Sequence, residues 1–167
     1  MNDKTETVDL IIQSSKDSGI DLNAKNNGGV TAWHWAFYEG ATETAKLIIQ
    51  NSKEFGIDLN AKNNYGWTAF HDACSKGQTE PAQLIIQSSK DFGIDLNAKD
   101  DTGKTALHVA CFFGNTEIVQ MILKNWIEFG IDIKTQNNNG ETALDLINHR
   151  DSERYNQIKK MLENEYS

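Results

Sequence analysis

The chain has 167 residues, 38% of them hydrophobic and 24% charged, with a net charge of −8 and a pI near 4.9. Such proportions exclude a wholly disordered chain and a collagen-like polymer. The 16 Lys and Arg residues form no cluster, so nucleic acid is not expected as a partner. No apolar run approaches the ~18 residues of a membrane span, and Met1–Val8 is polar and acidic, unlike a secretory leader. A soluble, cytoplasmic protein is expected, with Cys74 and Cys111 left as free thiols in a reducing compartment.

The residues from Thr5 to Ser18 carry an apolar core at Leu10, Ile11 and Ile12 and end at Gly19, the pattern of one helix. A short run, Thr31–Tyr38, follows and stops at Gly40, which can take the left-handed conformation that ends a helix. Thr42 then opens a second, longer helix with a broad apolar face from Ala45 through Ile48 and Ile49 to Phe55. The Thr hydroxyl is expected to cap it and Glu43 to favour its first turn. Gly56 ends it, and Asp58–Gly66, rich in Asn and Gly, carries the turn chemistry of a projecting, hairpin-like finger.

This helix–helix–finger pattern recurs. Thr31-Ala32-Trp33-His34, Thr68-Ala69-Phe70-His71, Thr105-Ala106-Leu107-His108 and Thr142-Ala143-Leu144-Asp145 start 37 residues apart each time. Gly19, Gly56, Gly93 and Gly130 keep the same step, as do Leu22, Leu59, Leu96 and Ile133. Pro81, the one proline, falls in the first turn of a second helix, where its missing N–H is harmless. A period in this range marks a stack of repeated units.

The Thr-Ala-(Trp/Phe/Leu)-His tetrapeptides, followed by Ala36, Ala73 or Ala110, and the GIDLNAK segments resemble the ankyrin-repeat family. The resemblance runs from about Thr5 to the end and implies an all-α, ankyrin-type α-solenoid with β-hairpin-like fingers. Two departures stand out: Ala replaces the motif's Pro, and the unit exceeds the family's ~33 residues by four. The extra residues, Ser52–Phe55 and their counterparts, read as one added turn on the second helix. The expected organisation is a single array: an N-terminal half-repeat over 1–25, full repeats over 26–62, 63–99 and 100–136, and a capping repeat over 137–167. In the last of these Asp145 replaces His, and Lys159 and Lys160 stand where apolar residues would be. Leu10, Ile11 and Ile12 stay apolar, so the chain is expected to be half-capped or part of a longer array.

His71/Cys74 and His108/Cys111 each place two potential metal ligands on one helical face. Stacked units lie roughly 8–10 Å apart, too far for the pairs to share a metal at ~2.0–2.3 Å or for the cysteines to form a disulfide. No metal, cofactor or catalytic group is therefore expected, and Thr and His at each helix start read as structural. Asn23, Asn60 and Asn97 sit in a DLNA context that, by the resemblance, a cytosolic asparaginyl hydroxylase could accept.

The framework repeats, whereas the finger tips and the exposed side of the first helices vary. Solenoids bind through such extended concave surfaces, and in ankyrin-like proteins these positions usually contact partners. The expected function is non-catalytic recognition of another protein by a monomer, and the alternative is a scaffold segment of a longer repeat protein. The candidate binding residues are Tyr38, Asn64, Tyr65, Trp67, Lys76, Asp101, Thr102, Lys104, Phe112 and Phe113, read as one aromatic patch with lysines beside it. Trp33, Phe70, Leu107 and Leu144 are assigned to the core, and Trp35 and Trp126 are expected to be partly packed.

Overall fold

A computed structural model describes residues 3–166; positions 1, 2 and 167 of the expected array lie outside the described residues. Among them are eight α-helices, one 3-10 turn and no strand. The first helices of the units are α2 (Ala32–Tyr38), α4 (Ala69–Lys76) and α6 (Ala106–Phe113), with the 3-10 turn Asp145–Ile147 in the fourth place. The second helices are α1 (Asp3–Ser18), α3 (Thr42–Phe55), α5 (Thr79–Phe92), α7 (Thr116–Phe129) and α8 (Glu153–Tyr166). Each set packs in chain order into its own layer, and each first helix also packs on the second helix of its unit. Between the layers lie Phe37, Ile48, Ile85, Ile86, Ile122 and both cysteines, all buried. Fully burying an aliphatic side chain of this size contributes about 1.5–3 kcal/mol.

Local chemistry explains where helices start and stop. Thr31, Thr68 and Thr105 are N-caps in extended conformation, each paired in a capping box with the His three residues on. The second helices differ from expectation. Their N-caps are Ala41, Gln78 and Asn115, with no side-chain cap bond. Thr42 is already inside the helix, and its hydroxyl turns back to the Gly40 carbonyl at 3.4 Å. The lengthened helices do run to Phe55, Phe92 and Phe129. There Lys16, Lys53 and Lys90 of the preceding unit place their ammonium groups 4.6, 5.0 and 4.8 Å from the ring centroids. The added turn thus gives the successive pairs from α1 to α7 a cation–aromatic contact each.

What closes each finger is a turn rather than a strand pair. Asn63 donates its N–H to the Trp67 carbonyl, and its side-chain oxygen accepts from the N–H groups of Tyr65 and Trp67. Asn64, Asp101 and Asn138 each donate one backbone N–H to the finger before, at Gly28, Tyr65 and Thr102. One backbone bond per finger pair, with no ladder beyond it among the described residues, leaves the fingers without strand pairing. Gly66 sits at φ +75°, and a Cβ there would lie 2.6 Å from the Asp101 nitrogen. The fingers therefore approach closely only because the residue has no side chain.

The last unit departs most. Thr142 and Asp145 bond to each other, but the first helix shrinks to one 3-10 turn. Trp33, Phe70 and Leu107 are buried as assigned, whereas Leu144 is only half-buried because the shortened helix does not carry it inward. Lys159, at a position expected to be apolar, has a use: its ammonium donates to the carbonyls of Asn148 and Arg150 at 3.0 Å each. Ile158 and Leu162 of α8 are fully buried beneath it.

Candidate functional site

The three histidines are framework. His71 Nδ1 accepts from the Thr68 N–H at 3.2 Å, and Nε2–H donates to the Lys104 carbonyl of the next unit at 3.1 Å. That pairing fixes the neutral Nε2–H tautomer. His34 and His108 repeat it toward Trp67 and Glu141. Burial lowers the pKa of all three rings. Cys74 and Cys111 are free and buried, and burial raises both thiols well above their ordinary range. With both ring nitrogens engaged, neither His-x-x-Cys pair presents a ligand set, and among the described residues no group of three metal-ligating side chains comes together. Asn23, Asn60 and Asn97 also work between units: each amide donates to the carbonyl of Gly56, Gly93 or Gly130, and each oxygen accepts from Asp58, Asp95 or Asp132.

The unshared residues build a groove of about 650 Å³ along α2, α4 and the fingers beside them. Of the candidates, Tyr38, Tyr65, Trp67, Asp101, Thr102 and Lys104 line it. Trp67 is half-buried, parallel to the His71 ring at 6.3 Å, and donates its indole N–H to Asp100 at 3.2 Å. It is a fixed wall rather than a free anchor. Tyr65 is 73% exposed at its finger tip. Lys76 sits with its ammonium 4.1 Å from the centre of the Tyr38 ring, at the groove's edge.

Asn64, Phe112 and Phe113 lie outside this groove. The Asn64 amide is occupied in the seam, donating to the Asn27 carbonyl. Phe112 and Phe113 touch edge-to-face at 5.3 Å and form a second cluster, with the Arg150 guanidinium 4.4 Å from the Phe112 ring. The expected continuous patch is therefore two clusters, bridged by Lys104, whose ammonium lies 6.0 Å from Phe112.

Among the lining residues absent from the candidate set, Trp35 and Asp72 bear most on the site. Trp35 is 50% exposed and packs edge-on against Tyr38 at 5.6 Å, while Trp126 is the partly packed one, bonded to Glu165. Trp35 lies one helical step from Tyr38 on the same face, a spacing that could have revealed it. Asp72 is only 6% exposed, and burial pushes its pKa up to about 7, with Lys76 pulling the other way. Burial would also raise Asp100, but bonds from Thr102, Lys104 and Trp67 outweigh it and hold that carboxyl below its ordinary value.

A stack of helix pairs joined by turned fingers, with Thr–His starts that bond one unit to the next, defines a repeat protein. Family models for ankyrin repeats match residues 1–100 (three copies) and 89–147 (many copies). The chain belongs to the ankyrin-repeat family. No curated protein matches it. Ankyrin repeats are generally protein–protein interaction modules and generally non-catalytic. Among the described residues no helix is long and apolar enough to cross a membrane.

Proposed function

We propose that this chain recognises another protein through the face made by its finger tips and first helices, with the groove lined by Trp35, Tyr38, Tyr65 and Trp67 as its centre. The observation that carries this reading is the exposure of Trp35 and Tyr65 on a face where the repeated Thr and His side chains at the helix starts are buried. Exposed aromatics bury large areas at low entropic cost when a partner arrives, and they dominate interface energetics. Lys76, Asp101, Thr102 and Lys104 provide the polar edge, and Phe112 with Phe113 extends the surface toward the C-terminal unit. The protein acts as a cytoplasmic monomer without cofactor, organised in the repeats over 26–62, 63–99 and 100–136 with partial units at either side.

The test is capture of partners from lysate by wild type and by the double variant Trp35→Ala/Tyr65→Ala. Both side chains are exposed, so folding is expected to survive, and loss of capture is the expected result. Unchanged capture contradicts the reading. A second reading, a scaffold segment within a longer array, is favoured by Leu10, which is 69% exposed on α1. In that case an added upstream unit raises the melting temperature, and the double variant captures as wild type does.

A further inference from the structure

We propose that the groove seats the guanidinium of an arginine carried by the partner protein, held between the aromatic walls with its N–H fork on the carboxylate of Asp72. This rests on the recognition reading above and names the chemistry recognised.

Asp72 is more than nine-tenths buried and lines the groove, and no hydrogen bond from a described residue reaches its carboxylate, the Ser75 hydroxyl going to its backbone carbonyl instead. No enclosed side-chain oxygen among the described residues lacks a partner, so the unbonded Asp72 oxygens open onto the groove, and a carboxylate at an apolar wall is ordinarily paired. The nearest cation of this chain does not pair with it: Lys76, one turn on, stays over the Tyr38 ring, and no ion pair within 4 Å joins it to Asp72. Nor does the fold require an acid there. The same place in the other units holds Trp35, Val109 and Leu146, and the seam bonds are made by residues on either side of it. A carboxylate that the stack does not use, at the wall of an aromatic groove, is arranged for a positive group from outside.

Three features favour a guanidinium over an ammonium. Both oxygens of Asp72 are free of donors and can accept a parallel pair of N–H bonds, which a guanidinium offers and an ammonium does not. Arginine is the more weakly hydrated cation and stacks flat on indole and phenol rings, so it enters an apolar groove at lower cost. Lysine is also already supplied in cis by Lys76 and Lys104, which leave the carboxylate unpaired. The net charge of −8, with Asp101 on the finger tip, draws a basic segment toward this face.

The experiment pans a displayed random-peptide library against the whole protein, then measures binding of a selected peptide and of its arginine→citrulline counterpart, which has the same shape without charge. Selected peptides are expected to share an arginine. Citrulline is expected to weaken binding to wild type about tenfold or more, the lower end of coupling between close charge pairs, and to change nothing on Asp72→Asn. If that variant fails to fold, the same pair is measured on Trp35→Ala, where losing a wall reduces the citrulline effect. Peptides without arginine, equal binding of lysine in its place, or an equal citrulline penalty on Asp72→Asn overturns the arginine assignment. In those cases the recognition reading survives if the peptides fail to bind Trp35→Ala/Tyr65→Ala. Peptides that bind that double variant as tightly as wild type, or a library that yields no binder, overturn both.

Discussion

His71 and Asp72 are neighbours on α4, both buried, one in the seam between units and the other in the groove. The His71 ring spends both nitrogens on this chain, one on Thr68 and one on Lys104, whereas the Asp72 carboxylate spends neither oxygen. The seam arrangement recurs at His34 and His108 and ends at Asp145, whose shorter side chain bonds only within its own unit. The groove arrangement occurs once. Positions repeated along the chain are therefore those whose bonds are internal, and a buried polar group at an unrepeated position is one the stack leaves unused.

Breaking the seam has the largest expected effect. His71→Ala orphans a buried N–H and a carbonyl of the next unit, and is expected to destabilise by about 2–4 kcal/mol in urea unfolding. Gly66→Ala strains a positive φ and pushes a Cβ against the Asp101 nitrogen, for an expected loss of about 1–3 kcal/mol by the same measurement. Asp72→Asn sharpens the comparison with the opposite sign. Because the folded pKa of Asp72 is raised to about 7, the stability tied to its proton is complete below the unfolded value near 3.8 and is lost as pH rises through about 7. The Asn variant is expected to be more stable than wild type by about 1–2 kcal/mol at pH 8, with the difference gone near pH 4.

The histidines run the other way. Their folded pKa values lie below 6.5, so as pH falls below that the unfolded chain takes up protons first and stability declines. Melting followed from pH 7 to pH 5 checks this, and both Asp72 proteins are expected to share the decline. Trp35→Ala is expected to have the smallest effect on folding, within about 0.5 kcal/mol, since its side chain is half exposed.

Much of the stack was legible because its signals repeat. The step of 37 residues, the glycines at helix ends and the buried slot of Trp33, Phe70 and Leu107 all follow from patterns seen three or four times. The Thr42 hydroxyl misled because a Thr ahead of Glu looks the same at N-cap and at the first helical position; only the backbone decides between them. Trp35 was readable from its one-step spacing to Tyr38, but Asp72 was hidden for a different reason. It occurs once, and whether a lone Asp on a short helix faces a neighbouring unit or a groove depends on how far the units stand apart. The split of the aromatic patch had no sequence signal either, since the contact of Phe112 with the Arg150 guanidinium joins residues of different units.

The central claim, that unshared residues on the finger and first-helix face meet the partner, is tested most directly by hydrogen exchange of the chain with and without a captured partner. Slowed exchange across Val30–Tyr38, Asn63–Asp72 and Asp100–Lys104, with α3, α5 and α7 unchanged, is the expected result. Slowed exchange confined to α3, α5 and α7 would contradict it.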